Sequence, residues 1–288
     1  MESILDLYDK HITQNADPRI RDWPLMPSIV PSVLITALYL VFVLVMPRVM
    51  QNKPALNLQI PIVLYNFGMV FFSFYIFVEI LMAGWLTDYS VFGCQPVDYS
   101  DSANGFRMAR ACWLFFISKY VELSDTVFFI LRKKNSQVTF LHVFHHGALP
   151  IFWWFGVKIV PGGFGTFHTM VNAFVHTVMY FYYGVSALGP RYRKYLWWKR
   201  YITILQLTQF FIVTLHNSQL LFVRCDNYPV IFAIAIQGFT SSVAVLFLNF
   251  YIKTYITNRQ HGKVEQNGLA QNGHITQNGE VHSKMKYH

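Results

Sequence analysis

Charge is what this sequence has least of. Asp, Glu, Lys and Arg make up 13% of its 288 residues, against about 25% in an ordinary soluble domain. With 54% of the residues hydrophobic, the excess apolar surface needs lipid as its solvent. The sequence also lacks a polar stretch long enough for a separate soluble catalytic domain, so any chemistry has to lie inside the membrane. A basic start of the kind that opens a cleavable signal peptide is missing as well. Glu2, Asp6, Asp9, Asp17 and Asp22 make the first 27 residues acidic, and the first apolar run is therefore expected to be a true span. No Asn-x-Ser/Thr acceptor site is present.

What fills the chain instead is a series of apolar runs of about 20 residues, the length that crosses a bilayer as helix. Seven are expected: 28–47, 61–84, 111–131, 137–157, 165–187, 201–223 and 229–252. Their connectors alternate in charge. Arg48 and Lys53, then Arg132, Lys133 and Lys134, then Arg191, Arg193, Lys194, Lys199 and Arg200, then the tail from Lys253 gather most of the basic residues. The positive-inside rule puts these segments in the cytosol. The acidic N-terminus, the 85–110 connector, the Pro161-Gly162-Gly163 turn and the 224–228 connector fall on the luminal side. The formal charge of +9 lies on connectors beside the bilayer, so lipid headgroups and ligand phosphates, not nucleic acid, are its expected partners.

Of three cysteines, Cys94 and Cys225 sit on luminal connectors, where a disulfide between them is expected, and Cys112 opens the third span. The domain reading is a luminal segment over 1–27, a seven-helix domain over 28–254 and a disordered cytosolic tail over 255–288. That tail repeats Gln-Asn-Gly and ends Lys284-Met285-Lys286-Tyr287-His288, in the form of a dilysine retrieval signal for the endoplasmic reticulum.

Ionisable groups inside a membrane are costly, so each is a functional candidate. The third span carries Lys119, Glu122 and Asp125 along one helical stripe, and the fourth carries His142, His145 and His146. The fifth holds Asn172, His176, Tyr180 and Tyr183; the sixth holds Thr203, Gln206, Gln209 and His216. Counting inward from the cytosolic end at 1.5 Å per residue puts Asp125 at about 9 Å, His145 and Gln209 at about 12 Å and His176 at about 15 Å. Four helices thus place polar groups at one level, which points to one polar chamber opening toward the cytosol. His145 and His146 point about 100° apart, so one can face the chamber while a neighbouring helix holds the other. The plainer alternatives are an interhelical clamp for the histidines and simple structural pairing for Lys119, Glu122 and Asp125. His216, alone at its level, reads as structural.

At this point the sequence resembles a known family. Lys119-x-x-Glu122-x-x-Asp125-Thr126, Gln137-x-x-Phe140-Leu141-His142-x-x-His145-His146, Asn172-x-x-x-His176-x-x-Met179-Tyr180-x-Tyr182-Tyr183 and Thr203-x-x-Gln206-x-x-Gln209 stand in order on consecutive spans. They resemble the elongation of very long chain fatty acids proteins from Asp17 to Tyr255. The resemblance implies an all-α polytopic membrane protein of seven transmembrane helices, six of them forming a barrel of two inverted three-helix units around an acyl tunnel. It implies condensation of acyl-CoA with malonyl-CoA to 3-ketoacyl-CoA, CoA and CO₂, with both thioesters as substrates and no bound cofactor or metal. The 3-ketoacyl-CoA reductase, 3-hydroxyacyl-CoA dehydratase and enoyl-CoA reductase of the elongation cycle are the implied partners.

Claisen condensation needs an activated acyl group, a carbanion from malonyl decarboxylation and stabilised oxyanions. With no cysteine at the polar level, His145 is expected as nucleophile and His176 as its closest partner. His142, His146, Asn172 and Gln209 are expected to orient groups or stabilise oxyanions, and Glu122 and Asp125 to set histidine tautomers and charge. Lys119, Arg132, Lys133, Lys134 and Lys199 are expected to hold CoA phosphates. Two other readings remain open on the residues: a histidine-box metal oxygenase or desaturase, which metal content would reveal, and a small-solute transporter, which vesicle uptake would reveal.

Overall fold

The structure is a computed structural model that describes residues 9–223, 225 and 228–257. The tail repeats and the dilysine motif lie outside the described residues. The chain divides into two compact units, Met1–Ala244 and Val245–His288. In the second, the last helix ends in a π-helical turn, Ile252–Thr257, where Tyr255 packs on Phe250 and Tyr251.

Among the described residues the regular structure is all helical: α1 Val30–Val49, α2 Gln59–Ile80, α3 Ala103–Val121, α4 Leu123–Leu131, α5 Phe140–Ile159, α6 Thr166–Ala187, α7 Lys199–Ser218 and α8 Val230–Tyr251. Helix is the form in which a chain in lipid satisfies its own backbone hydrogen bonds. Among the described residues three helices are long and apolar enough to cross a membrane by length and composition alone: Val30–Val49, Gln59–Trp85 and Val230–Thr257. The others carry the polar residues singled out above. Large apolar side chains on α1, including Leu34, Leu38 and Leu44, are more than half exposed, as expected of a face that meets lipid.

α3 and α4 are one helix interrupted at Glu122, where the amide of Asp125 turns back to the Glu122 carbonyl at 3.1 Å. Such tightening inside a helix often marks a functional position. The helix begins at Ala103, earlier than the expected residue 111, because Ser102 caps it by accepting from the Gly105 amide at 3.0 Å. Cys112 therefore lies inside this helix and does not open it. Arg107 and Arg110, expected on a connector, are helical, and Arg107 forms a two-pronged pair with Glu79 of α2 at 2.7 and 2.9 Å. That bidentate pairing offsets the cost of placing their charges on apolar helices.

α2 lies along α6 in the most extensive helix contact of the molecule; further contacts join α2 to α3, α3 to α5, α1 to α4 and α5, and α6 to α7. The segments that charge alternation assigns to one side meet at one end of these helices. Arg19 donates to the carbonyls of Asp98 and Ser100 at 2.8 and 2.6 Å, and the Phe164 amide donates to the Gln95 carbonyl at 2.9 Å. Gly163 there has φ of +65°, and a Cβ would stand 2.8 Å from the Gln95 carbonyl oxygen, so glycine is required. Cys94 and Cys225 are joined as a disulfide with Cα atoms 5.2 Å apart. At the opposite end the Leu56 amide reaches the Leu131 carbonyl at 3.0 Å, and Gln59 reaches the Leu188 carbonyl at 3.3 Å.

The N-terminal segment is tied to the first of these ends. Trp113, Trp154 and Lys158 donate to the carbonyls of Pro24, Leu25 and Met26 at 3.0, 2.8 and 2.9 Å. Ile20 and Met26 are fully buried by it. Nearby, hydroxyls of Ser100 and Ser102 hold the Asp98 carboxyl below its usual pKa.

Non-reducing peptide mapping should recover the peptides of Cys94 and Cys225 linked. Their sequence separation is 131, so Cys225→Ser should lower stability by about 2–5 kcal/mol in thermal unfolding. Free thiols at both positions in the native protein would contradict the fold at this end.

Candidate active site

The third span's stripe and the fifth span's stripe face each other. Lys119 Nζ donates to Glu122 Oε1 at 2.7 Å and to Asn172 Oδ1 at 3.4 Å, and His176 Nδ1 stands 3.4 Å from the same Glu122 oxygen. Ser118 adds a hydroxyl to that oxygen at 3.2 Å. Lys119 and Glu122 are 2% and 1% exposed, so each needs the other to remain charged out of water. Farther along, Tyr180 donates to Asp125 Oδ2 at 2.8 Å and approaches Tyr65. Asp125 is thus taken by a tyrosine, while Glu122 is the carboxylate beside a histidine.

Thr139 caps α5 by accepting from the His142 amide at 3.3 Å, which starts the helix just ahead of the histidines. The trio then divides. His142 Nε2 is 2.7 Å from Thr126 Oγ1, which is in turn 3.1 Å from the Tyr39 hydroxyl of α1. The His146 ring lies 4.3 Å from that of His142 and is buried. His145, its ring 5.1 Å from His146, turns the other way and lines a cavity of about 20 Å³ with Phe115, Leu149, Trp153, His168 and Asn172. That is room for about one water.

Trp153 is shared with a second cavity of about 550 Å³, within the usual size range of ligand pockets. Its walls are mostly apolar: Phe152, Val157, Phe232 and Ile236 stand among them, with Cys112, Thr166 and Thr169. The small polar cavity and the large apolar one therefore share Trp153 in their walls. Cys112 belongs to the apolar side.

The remaining expected residues fall into two groups. Gln209 is buried on α7, and among the described residues no hydrogen bond joins it to a histidine. Gln206 reaches the Met179 sulfur at 3.5 Å. Arg132, Lys133, Lys134 and Lys199 are exposed at the helix ends, where Lys133 donates to the Gln51 carbonyl at 3.0 Å. Lys119, expected with this basic group, is buried in the ion pair instead. Among the described residues no set of three or more His, Cys, Asp and Glu has the geometry of a metal site.

His168 is not among the residues expected from the sequence. The structure puts it on the cavity with His145. The available signal was spacing: His168, Asn172, His176 and Tyr180 recur every fourth residue, one stripe of a helix. His216 is stacked between Phe167 and Phe164 at 4.0 and 4.3 Å, a packed position away from the cluster.

Removing one partner of a buried ion pair leaves an uncompensated charge, so Glu122→Gln should destabilise the protein by about 3–5 kcal/mol. Adding Lys119→Met should recover part of the loss. Thermal unfolding in detergent measures both, and an unchanged midpoint for the single variant would mean that the pair carries no such load.

The GNS1/SUR4 (ELO) family model matches residues 24–263. The chain is 48% identical over 269 residues to "Very long chain fatty acid elongase 7" of Rattus norvegicus, covering 93% of this chain and 95% of that protein. It is 48% identical over 277 residues to "Very long chain fatty acid elongase 1" of Homo sapiens, covering 95% and 96%. With "Very long chain fatty acid elongase 4" of Homo sapiens it shares 45% over 260 residues, covering 90% and 82%. Alignment over nearly the full length of such proteins, with the polar stripes brought into contact by the fold, makes this multi-pass membrane chain a member of the GNS1/SUR4 (ELO) family.

Proposed function

We propose that the chain is a very-long-chain 3-oxoacyl-CoA synthase, the condensing enzyme of fatty-acyl elongation. The observation that carries this reading is the placement of His145 on a cavity the size of one oxygen atom that shares Trp153 with an apolar chamber of about 550 Å³. A thioester carbonyl suits the first and a hydrocarbon chain the second. Acyl-CoA and malonyl-CoA are the substrates, and no bound cofactor is required.

In this reading the lone pair of an imidazole nitrogen of His145 attacks the acyl carbonyl carbon, the C–S bond breaks, and the CoA thiolate leaves and takes up a proton. Malonyl-CoA then loses CO₂, and the resulting enolate carbon attacks the acyl group. The C–N bond to His145 breaks, and 3-ketoacyl-CoA leaves. An imidazole is a base strong enough and a leaving group good enough for both halves of such a ping-pong cycle. His176, beside Glu122, is placed to serve the second half; Asn172, with its oxygen turned to Lys119, has its amide donors free for an oxyanion. His142 and His146 act by holding the orientation of the histidine turn. Gln209 contributes from α7, and Asp125 acts through Tyr180. Arg132, Lys133, Lys134 and Lys199 receive the CoA phosphates at the exposed end, while Lys119 acts inside the site.

The contacts of α2 with α3 and α6, of α3 with α5 and of α6 with α7 are in keeping with a barrel around the acyl path, with α1 packed on α4 and α5; α8 would complete it, its Phe239 stacked on Phe144 and Phe152 of α5. Seven spans, an N-terminus in the lumen and a C-terminus in the cytosol of the endoplasmic reticulum follow from charge alternation. The division into 1–27, 28–254 and 255–288, and work alongside the reductases and dehydratase of the cycle, belong to the same reading.

Intact-protein mass spectrometry of the purified enzyme with acyl-CoA alone should show an acyl adduct and free CoA. His145→Ala should abolish product, adduct and CoA release, whereas loss of a residue that only binds CoA should mainly raise KM. No wild-type adduct, together with normal CoA release by His145→Ala, would end the nucleophile assignment. For location, Lys284→Ser with Lys286→Ser should let the protein escape the endoplasmic reticulum in cells; unchanged localisation would place retention elsewhere.

A further inference from the structure

The cavity at His145 is too small for a side chain or an acyl chain, yet polar groups surround it without partners. His168 Nδ1, Thr240 Oγ1 and Trp153 Nε1 are each buried and make no hydrogen bond, and all three residues line this cavity with His145 and Asn172. Buried polar atoms are normally paired, and an exception calls for a reason. Thr240 is informative. A threonine or serine hydroxyl inside a helix usually bonds the carbonyl four residues back, as Thr177 does to Ala173 at 2.9 Å and Ser242 does to Gly238 at 2.8 Å. Thr240, 2% exposed, does not; the buried hydroxyls of Thr36 and Thr169 are unpaired too, but of the three only Thr240 lines this cavity. His168 is likewise 8% exposed, its ring stacked 5.5 Å from that of Trp153, which holds it against the cavity wall.

Hydrogen-bond donors fixed around an oxygen-sized hole beside a nucleophile are the arrangement that stabilises a tetrahedral intermediate. We propose that His168 and Thr240 are catalytic residues that, with Asn172, donate hydrogen bonds to the oxyanion formed on the acyl carbonyl at His145. This rests on the acyl-histidine reading. When the His145 nitrogen adds to the thioester carbonyl, the C=O π pair moves onto oxygen; that oxygen sits in the cavity and accepts the O–H of Thr240 and the imidazole N–H of His168. On collapse the C=O re-forms, the C–S bond breaks, and the proton taken by the CoA thiolate comes from solvent. The same hole receives the oxyanion again when the malonyl-derived enolate adds to the acyl group. Trp153, which this hole shares with the apolar chamber, offers a third N–H. Phe239, the residue before Thr240 on α8, is stacked on Phe144 and Phe152 of α5, which ties this stretch of α8 to the helix that carries His145.

The test is single-turnover CoA release from acyl-CoA by the full-length enzyme in detergent. Thr240→Val keeps shape and removes the donor; His168→Phe keeps the stacked ring and removes the N–H. Each should slow CoA release by about 10²-fold, with acyl-CoA affinity and thermal midpoint unchanged. Thr240→Ser and His168→Gln, which restore a donor, should recover most of the rate. Wild-type rates in Thr240→Val and His168→Phe, alongside no release by His145→Ala, would overturn this assignment while leaving the nucleophile in place. Equal loss in Thr240→Ser and Thr240→Val, or a loss confined to KM, would also overturn it, since neither tracks the donor. Normal release by His145→Ala would instead remove the acyl-histidine reading on which the assignment stands.

Discussion

The buried ion pair of Lys119 and Glu122 is the constraint around which the site is organised. A charge among apolar helices is tolerated only with partners, and here the partners come from another helix: Asn172 and His176 of α6 complete the coordination of Lys119 and Glu122. Meeting that demand fixes α6 in rotation and height against the α3–α4 helix. The Asp125–Tyr180 hydrogen bond repeats the same tie farther along. Once the two helices are locked, His168, Asn172 and His176 are presented together on the inward stripe of α6. The interruption at Glu122 lies at the point where this lock is made.

A second division runs between the two cavities. Trp153 borders both the water-sized polar cavity and the large apolar chamber, so the change from polar to apolar lining occurs within the width of one side chain. Polar groups and apolar surface thus occupy separate walls. The His145 cavity lies between exposed basic residues at one helix end and the apolar chamber toward the other. The disulfide, the Gly163 turn and the strapped N-terminal segment brace the end where the apolar chamber lies.

Much of the helix order was legible because runs of apolar residues have few other uses. The start of α3 was not, since Arg107 and Arg110 lower the hydropathy of its first turns while their partner Glu79 sits on a different helix. The polar stripe of α6 was legible from its fourfold spacing, yet only its lower part was given chemistry. Gln209 and Lys119 show the opposite difficulty: both match the pattern, but depth along a helix does not reveal which neighbour a side chain meets. Thr240 carried no signal, as a hydroxyl on an apolar helix ordinarily turns back to its own backbone.

The sequence by itself determined that this chain lives in lipid, that it crosses as helices with alternating connectors, and that histidines, carboxylates and one lysine share a level inside. Composition, run length and helical period suffice for those conclusions, because each depends on one segment at a time. Only the tertiary structure decided that His145 faces the cavity while His142 and His146 turn to Thr126 and one another, that His168 joins it, and that Asp125 belongs to Tyr180. The reason is rotational. A helix apolar on all sides gives lipid no preferred face to solvate, so its rotation about its own axis is set by the few polar contacts it makes with other helices.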